Sequence, residues 1–198
     1  PAGLFAAYAL ALAGNPALLI ERGRDIESRK QDVENFFSTG LLIPDSNVQF
    51  GEGGAGTFSD GKLNTQTHDK LGRNRFVLET FVKFGAQAEI LIDPKPHVGT
   101  DRLRLVIKNL REELIRLGTE ARFETKLTGL SIENRKLKGI TVNGNLDIPC
   151  QNLILAIGHS ARDTFEMLYT LGVPMQSKAF AVGLRVEHPQ DFIDHSQY

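Results

Sequence analysis

Apolar and polar positions along the 198-residue chain follow two periods, and the switches between them mark its elements. Leu4 to Ala13 is apolar at helical spacing and stops at Gly14-Asn15-Pro16. Ala17 to Ile20 is a short continuous apolar run closing on Glu21, as a buried parallel strand with an acid at its C-terminal end would be. In the charged stretch that follows, Ile26, Val33, Phe36 and Phe37 recur at helical spacing. This predicts a surface helix ending near Gly40, with its charges on a solvated face. Phe76 to Val82 reads as helix and Ile90-Leu91-Ile92 as a short strand, before Pro94 and Pro96 forbid a helix. Thr100 is the expected cap of a helix presenting Leu103, Val106, Ile107, Leu110, Leu114 and Leu117 to a core until Gly118 ends it.

Strand patterns dominate the next third. Ala121 to Leu127 reads as one strand. Thr128 to Pro149 gives three short β-like runs, the last two split by the hairpin signal Asn143-Gly144. Leu153 to Ile157 is continuously apolar, as a buried parallel strand requires, and ends at Gly158-His159-Ser160. Ser160 and Asp163 form an S-x-x-D capping box for a helix reaching about Leu171. After Gly172 and Pro174, Ala179 to Glu187 reads as a further strand.

Two stretches carry chemistry. The first is the chain start: a helix, a turn and a strand ending in an acid make the later part of a dinucleotide-binding βαβ unit. Gly3 takes the place of its third glycine, and the helix N-terminus would face a pyrophosphate. Glu21 stands where a ribose-binding acid is expected, and Arg22 follows it. An ordinary αβ pair that binds nothing gives the same pattern, and a chain opening there is expected to be a fragment. The second stretch is Gln49 to Lys62, with glycines at 51, 53, 54, 56 and 61. So many glycines weaken any helix or strand interior, but let bare N–H groups approach an anion or a flat ring. Thr57 and Ser59 add hydroxyl donors and Lys62 a cation, while Phe50 and Phe58 suggest anchoring. The alternative is a flexible surface loop. Leu63 after Gly61-Lys62 breaks the P-loop spacing.

Composition removes other classes. A formal net charge of −1 gives no pull toward nucleic acid or an anionic membrane. The single Cys150 forms no internal disulfide, which favours a reducing, cytoplasmic setting and leaves dithiol redox chemistry without support. Leu4 to Leu12 is too short to span a bilayer and lacks signal-peptide flanks. His97, His159, His188 and His195 show no metal-binding spacing, and no nucleophile elbow occurs.

Together, Gly3 with its helix, Glu21-Arg22-Gly23 and Gly53-Gly54-Ala55-Gly56-Thr57 resemble FAD-dependent oxidoreductases of the glutathione-reductase-like fold. The similarity is closest to bacterial FAD-dependent dehydrogenases. Runs similar to Asn47–Thr65, Lys95–Asp101 and Ala156–Thr164 occur in that group. The resemblance implies an α/β, Rossmann-like FAD/NAD(P)-binding domain of three layers over residues 1–172, with a parallel sheet and an antiparallel β-meander, truncated at both ends. Residues 173–198 would begin a substrate or cap domain. It further implies FAD as cofactor, NAD(P)H as a candidate electron donor and a small-molecule substrate. Gly3, Glu21 and Arg22 would serve the pyrophosphate and adenosine, Gly53 to Thr57 with Ser59 the pyrophosphate and flavin, and Leu127, Ala156 and Gly158 the rest of the cofactor. A flavin-dependent monooxygenase and a flavin- or nucleotide-binding protein without turnover remain open alternatives.

Overall fold

Helix α4 (Thr100–Arg116) is the element around which the larger core cluster packs. Its Leu103, Val106, Ile107, Leu110 and Leu114 recur every three or four residues and are all buried. A computed structural model describes residues 1–59, 61–63, 69–184 and 186–197; Asp60, Asn64, Thr65 and Arg185, within stretches named above, lie outside the described residues. Against α4 lie Leu4, Ala7, Tyr8 and Ala11 of α1 (Ala2–Leu12), together with Phe81 of α3 (Arg73–Lys83) and Phe84, Ile90 and Val98. Each fully buried Leu or Ile in such a core contributes about 1.5–3 kcal/mol.

Strands β1 (Leu18–Ile20) and β2 (Glu120–Arg122) pair in parallel, Leu18 opposite Glu120 and Ile20 opposite Arg122. The chain then turns into an antiparallel meander, β3 (Leu127–Glu133), β4 (Lys136–Val142) and β5 (Leu146–Pro149). Asn143 and Gly144 both take positive φ, 51° and 79°, as the hairpin signal demands. Leu127, Ile140 and Val142 form a second core cluster, to which Ile20, Leu153 and Met167 of α5 (Arg162–Thr170) add cover. The architecture is thus mixed α/β, with a parallel pair beside a three-stranded meander.

Several expectations are corrected. The strand at 121–127 stops at Arg122 because Glu124 adopts φ 49°, which breaks the extended run before Leu127 opens β3. Ile90 to Ile92 is not a strand: Ala88–Leu91 is a 3-10 turn that seats Ile90 in the core. Thr100 is the first residue of α4 rather than its cap. Gly99 holds the cap position, and no side-chain cap bond forms. Leu153 to Ile157 forms no strand and is not buried: Ile154 is 60% exposed, and the segment has no ladder partner among the described residues. An apolar run reports a tendency to be buried, but a strand also needs a neighbouring edge. The same reason applies to the described residues of 179–187, where no ladder forms and Leu184 is 96% exposed. Ser160 and Asp163 do not make a capping box. Ala161 occupies the cap of α5 without a side-chain bond, because the Asp163 carboxylate is drawn to Arg22 and Lys126. A final helix, α6 (Gln190–Gln197), buries none of its residues.

Candidate functional site

The expected solvated face of α2 (Ile26–Thr39) is wrong at two charged positions, Arg29 and Asp32, and the first of them builds the site. Asp25 caps the helix by accepting from the Glu27 and Ser28 N–H groups, and Gly40 closes it in the left-handed conformation. Between them Arg29 is fully buried, beneath the glycine-rich loop. Its Nε donates to Asn47 O (2.8 Å) and Nη2 to Val48 O (3.0 Å). Nη1 serves Gly51 O, Glu52 O, Gly54 O and Thr57 Oγ1 at 2.6–3.2 Å. A planar guanidinium with a fork of donors suits such a ring of carbonyls. Burial lowers the Arg29 pKa to about 10, opposed by the fields of Glu21 and Glu52, so the group stays a cation at neutral pH.

The loop is therefore wrapped on a cation rather than flexible. Gly51 (φ 117°) runs against the Arg29 side chain and Gly53 (φ 83°) against Thr57 Cγ2, leaving no room for a Cβ at either position. Ala55–Phe58 forms a 3-10 turn. Phe58 lies between the guanidinium groups of Arg29 (4.7 Å) and Arg104 (5.2 Å), and Phe50 lies under Arg22 at 4.3 Å. The expected hydroxyl donors are spent inside the loop, Thr57 on Gly54 O (2.8 Å) and Ser59 on Gly56 O (3.0 Å). The loop's free donors are its backbone: among the described residues, the N–H groups of Gly53, Ala55 and Gly56 donate to no protein acceptor. Lys62 bridges to His97.

Three further segments meet this loop. The first turn of α1 carries no side-chain cap, and a Cβ at Gly54 would lie 3.2 Å from Pro1 Cδ. The unpaired donors of a helix start and those of the loop are thereby neighbours. A Cβ at Gly3 would sit 3.6 Å from both Leu19 Cδ1 and Ala156 Cβ, an ordinary contact, which places Ala156 beside the helix start. Glu21 Oε1 accepts from the N–H groups of Gly23 (3.0 Å) and Gly51 (3.1 Å), tying the end of β1 to the loop. Gly158 is exposed at φ 72° with open space around it.

Arg22 and Leu127 are engaged by other partners. Arg22 makes two bonds to Asp163 (2.9 and 3.1 Å) and one to Thr164 Oγ1 (2.8 Å). Partial burial by itself raises the Asp163 carboxyl. Hydrogen bonds from Arg22, Lys126 and the Thr164 N–H outweigh it and hold the group well below the usual carboxylate range. The Leu127 side chain belongs to the second core cluster, and the Lys126 N–H and carbonyl are both taken by Asn143. Arg22, Arg24 and Lys126 line a cleft of about 470 Å³ with Asp45, Glu124, Asn143 and Gly144. Its cations are matched by Asp45, Glu124 and Asp163, so it offers no surplus positive charge.

One more group, Glu52, was not singled out from the sequence. It is 3% exposed, with Oε2 accepting from the Ile26 N–H (2.8 Å) and Arg111 Nη1 (3.0 Å). Among the described residues, Oε1 is buried without a partner. Burial pushes its pKa up to about 7 and prevails over the ion pair with Arg111, which favours the charged form. A charged residue inside a glycine-rich or helical charge run leaves no periodic trace, so neither Glu52 nor Arg29 could be told from solvated neighbours.

No known protein-family model matches this chain. An uncharacterized protein of Clostridium beijerinckii is 53% identical to it over 198 residues, and the chain spans 37% of that protein's length. Among the described residues, no helix is long and apolar enough to cross a membrane, and no group of three or more side chains is disposed to hold a metal.

Proposed function

We propose that this chain is part of an FAD-dependent oxidoreductase, and that the Rossmann-like reading of its mixed α/β architecture is the right one. The observation that carries it is the meeting of two sets of unpaired backbone donors, the first turn of α1 and the N–H groups of Gly53, Ala55 and Gly56. Such a pair is suited to a pyrophosphate, since both the helix dipole and the loop amides favour negative charge. Space for the group is present at Gly56, where a Cβ would meet nothing within 4 Å. Glu21 supports the same placement: Oε1 is used by the loop, and Oε2 is left to accept from ribose hydroxyls. Arg29 and Glu21 fix the loop's shape before any ligand arrives, so ordering it costs little at binding.

Bound FAD would supply hydride or electron-pair transfer to or from a small-molecule substrate, with NAD(P)H as candidate electron donor. The chain's own groups bind and orient it. Residues 173–197 would contribute to a substrate or cap portion, consistent with their exposed apolar side chains. The deciding experiment is the visible spectrum of freshly purified protein, with mass identification of whatever denaturation releases. A flavin spectrum with FAD released is expected; protein that stays colourless after incubation with FAD overturns the proposal.

A further inference from the structure

Glu52 sits within the proposed anion-binding loop, yet its carboxylate faces away from solvent into a cluster of charges. From α4 it is faced by Arg111, with Lys108 one turn earlier; from α2 by Asp25, Glu27 and Arg29. The cations are shared. Lys108 is bound by Glu27 at 2.7 Å, and Arg111 divides its nitrogens between Glu27 (3.2 Å) and Glu52 (3.0 Å). Arg29 turns its donors to carbonyls and Thr57 rather than to Glu52. Among the described residues, one carboxylate oxygen of Glu52 therefore remains buried with no donor, an arrangement that disfavours the charged form.

We propose that Glu52 is a positioning residue that takes up a proton when an anion docks on the Gly53–Gly56 amides, making binding at this loop proton-coupled. The inference rests on the anion-binding reading of the loop. Glu52 directly precedes Gly53, and its carbonyl and that of Gly54 accept from the same Arg29 nitrogen (2.6 and 2.9 Å). A ligand's negative charge arriving at amides that begin one residue after Glu52 repels this buried, under-compensated carboxylate through a medium of low polarity. The carboxyl already titrates near neutrality, so a modest further rise moves a proton at working pH. Binding and protonation are then linked: the anion binds more tightly where Glu52 is already protonated, and affinity falls as pH rises.

Calorimetric titration of the protein with FAD and, separately, with inorganic pyrophosphate tests this. Each is run in buffers of different ionisation enthalpy between pH 6 and 9, with wild type and Glu52→Gln. Expected for FAD, whose pyrophosphate diester keeps its charge over that range, are proton uptake near neutrality and an affinity falling about tenfold for each unit of displacement, both absent in Glu52→Gln. Inorganic pyrophosphate, which itself titrates there, is read as the difference between wild type and Glu52→Gln. FAD bound with no proton uptake and a flat pH profile overturns the inference and leaves the flavoprotein reading standing. FAD-linked proton uptake that persists in Glu52→Gln also overturns it, by assigning the proton elsewhere. Pyrophosphate bound with Glu52-dependent uptake, while FAD is refused, upholds the inference and overturns the FAD reading. Refusal of both probes overturns both. Should Glu52→Gln fail to fold, the wild-type pH profile decides, and a flat one is fatal.

Discussion

Arg29 and Glu52 set the stability of the site by opposite routes. Arg29 satisfies five backbone carbonyls and one hydroxyl, and the bonds to Asn47 O, Gly51 O, Glu52 O and Thr57 Oγ1 are buried under the loop. Arg29→Met is expected to destabilise the protein by about 3–5 kcal/mol, because orphaned buried acceptors add to the loss of the hydrogen bonds themselves. Arg29→Lys should recover little, since a single ammonium cannot span the ring. Urea unfolding checks both; a loss below 1 kcal/mol for Arg29→Met would show that the loop does not depend on it. Glu52 acts with the reverse sign. Its folded pKa, about 7, lies above the ordinary 4.5, so the native state holds a proton that the unfolded chain has released. Stability from this group is full below about pH 4.5 and is lost as pH rises to 7, on the order of 3 kcal/mol in all. Asp163 runs the other way, its lowered pKa giving stability that is lost only in acid. Glu52→Gln should therefore flatten the fall in unfolding free energy between pH 5 and 7. Arg111 keeps Glu27 as a partner in that variant, so no new unpaired cation offsets the gain.

At the scale of the element, the glycine-rich loop separates conformation from ligand contact. Gly54 adopts φ 66° and ψ −168°, a region open to almost no other residue, beside Pro1. Gly54→Val is expected to cost about 1–3 kcal/mol whether or not a ligand exists. Gly56 has an ordinary φ and empty space around its Cβ position, so Gly56→Val should leave the melting temperature within a few degrees of wild type. It should nonetheless lower FAD retention more than tenfold, by filling the space beside the free amides. Normal retention by well-folded Gly56→Val would remove the loop from the site. The same contrast explains what the sequence made legible. Core positions of α4 could be read directly, because Leu103 to Leu114 repeat with the helical period and burial follows that period. The Asn143-Gly144 turn was legible because positive φ at two successive positions has few chemical solutions. Glu21 was legible as a strand-end acid, though not its bond to Gly51 across 30 positions. Arg29 and the fate of 153–157 were not. A buried cation looks like any charged helix residue, and an apolar run does not say which edge it will pair with.

Across the whole molecule, the two core clusters end before residue 173. Leu168 of α5 is buried, whereas nothing in α6 is. Phe180, Val182, Leu184, Val186 and Phe192 are all at least 60% exposed. Among the described residues, the segment is held by contacts such as the Val173 N–H to Leu168 O bond (3.0 Å) and the edge-on approach of Phe180 to His159. Stability is local to contacts of this kind, so a segment adding none to either core opens independently of it. Limited proteolysis should therefore cut first between residues 174 and 189 and leave a resistant product ending near Gly172. A chain shortened to that point should unfold within about 1 kcal/mol of the full one, and should aggregate less, because the exposed Phe180, Val182, Leu184, Val186 and Phe192 are gone. If shortening instead costs several kcal/mol, residues 173–197 belong to the core of this unit, and the division of the chain at residue 172 has to be abandoned.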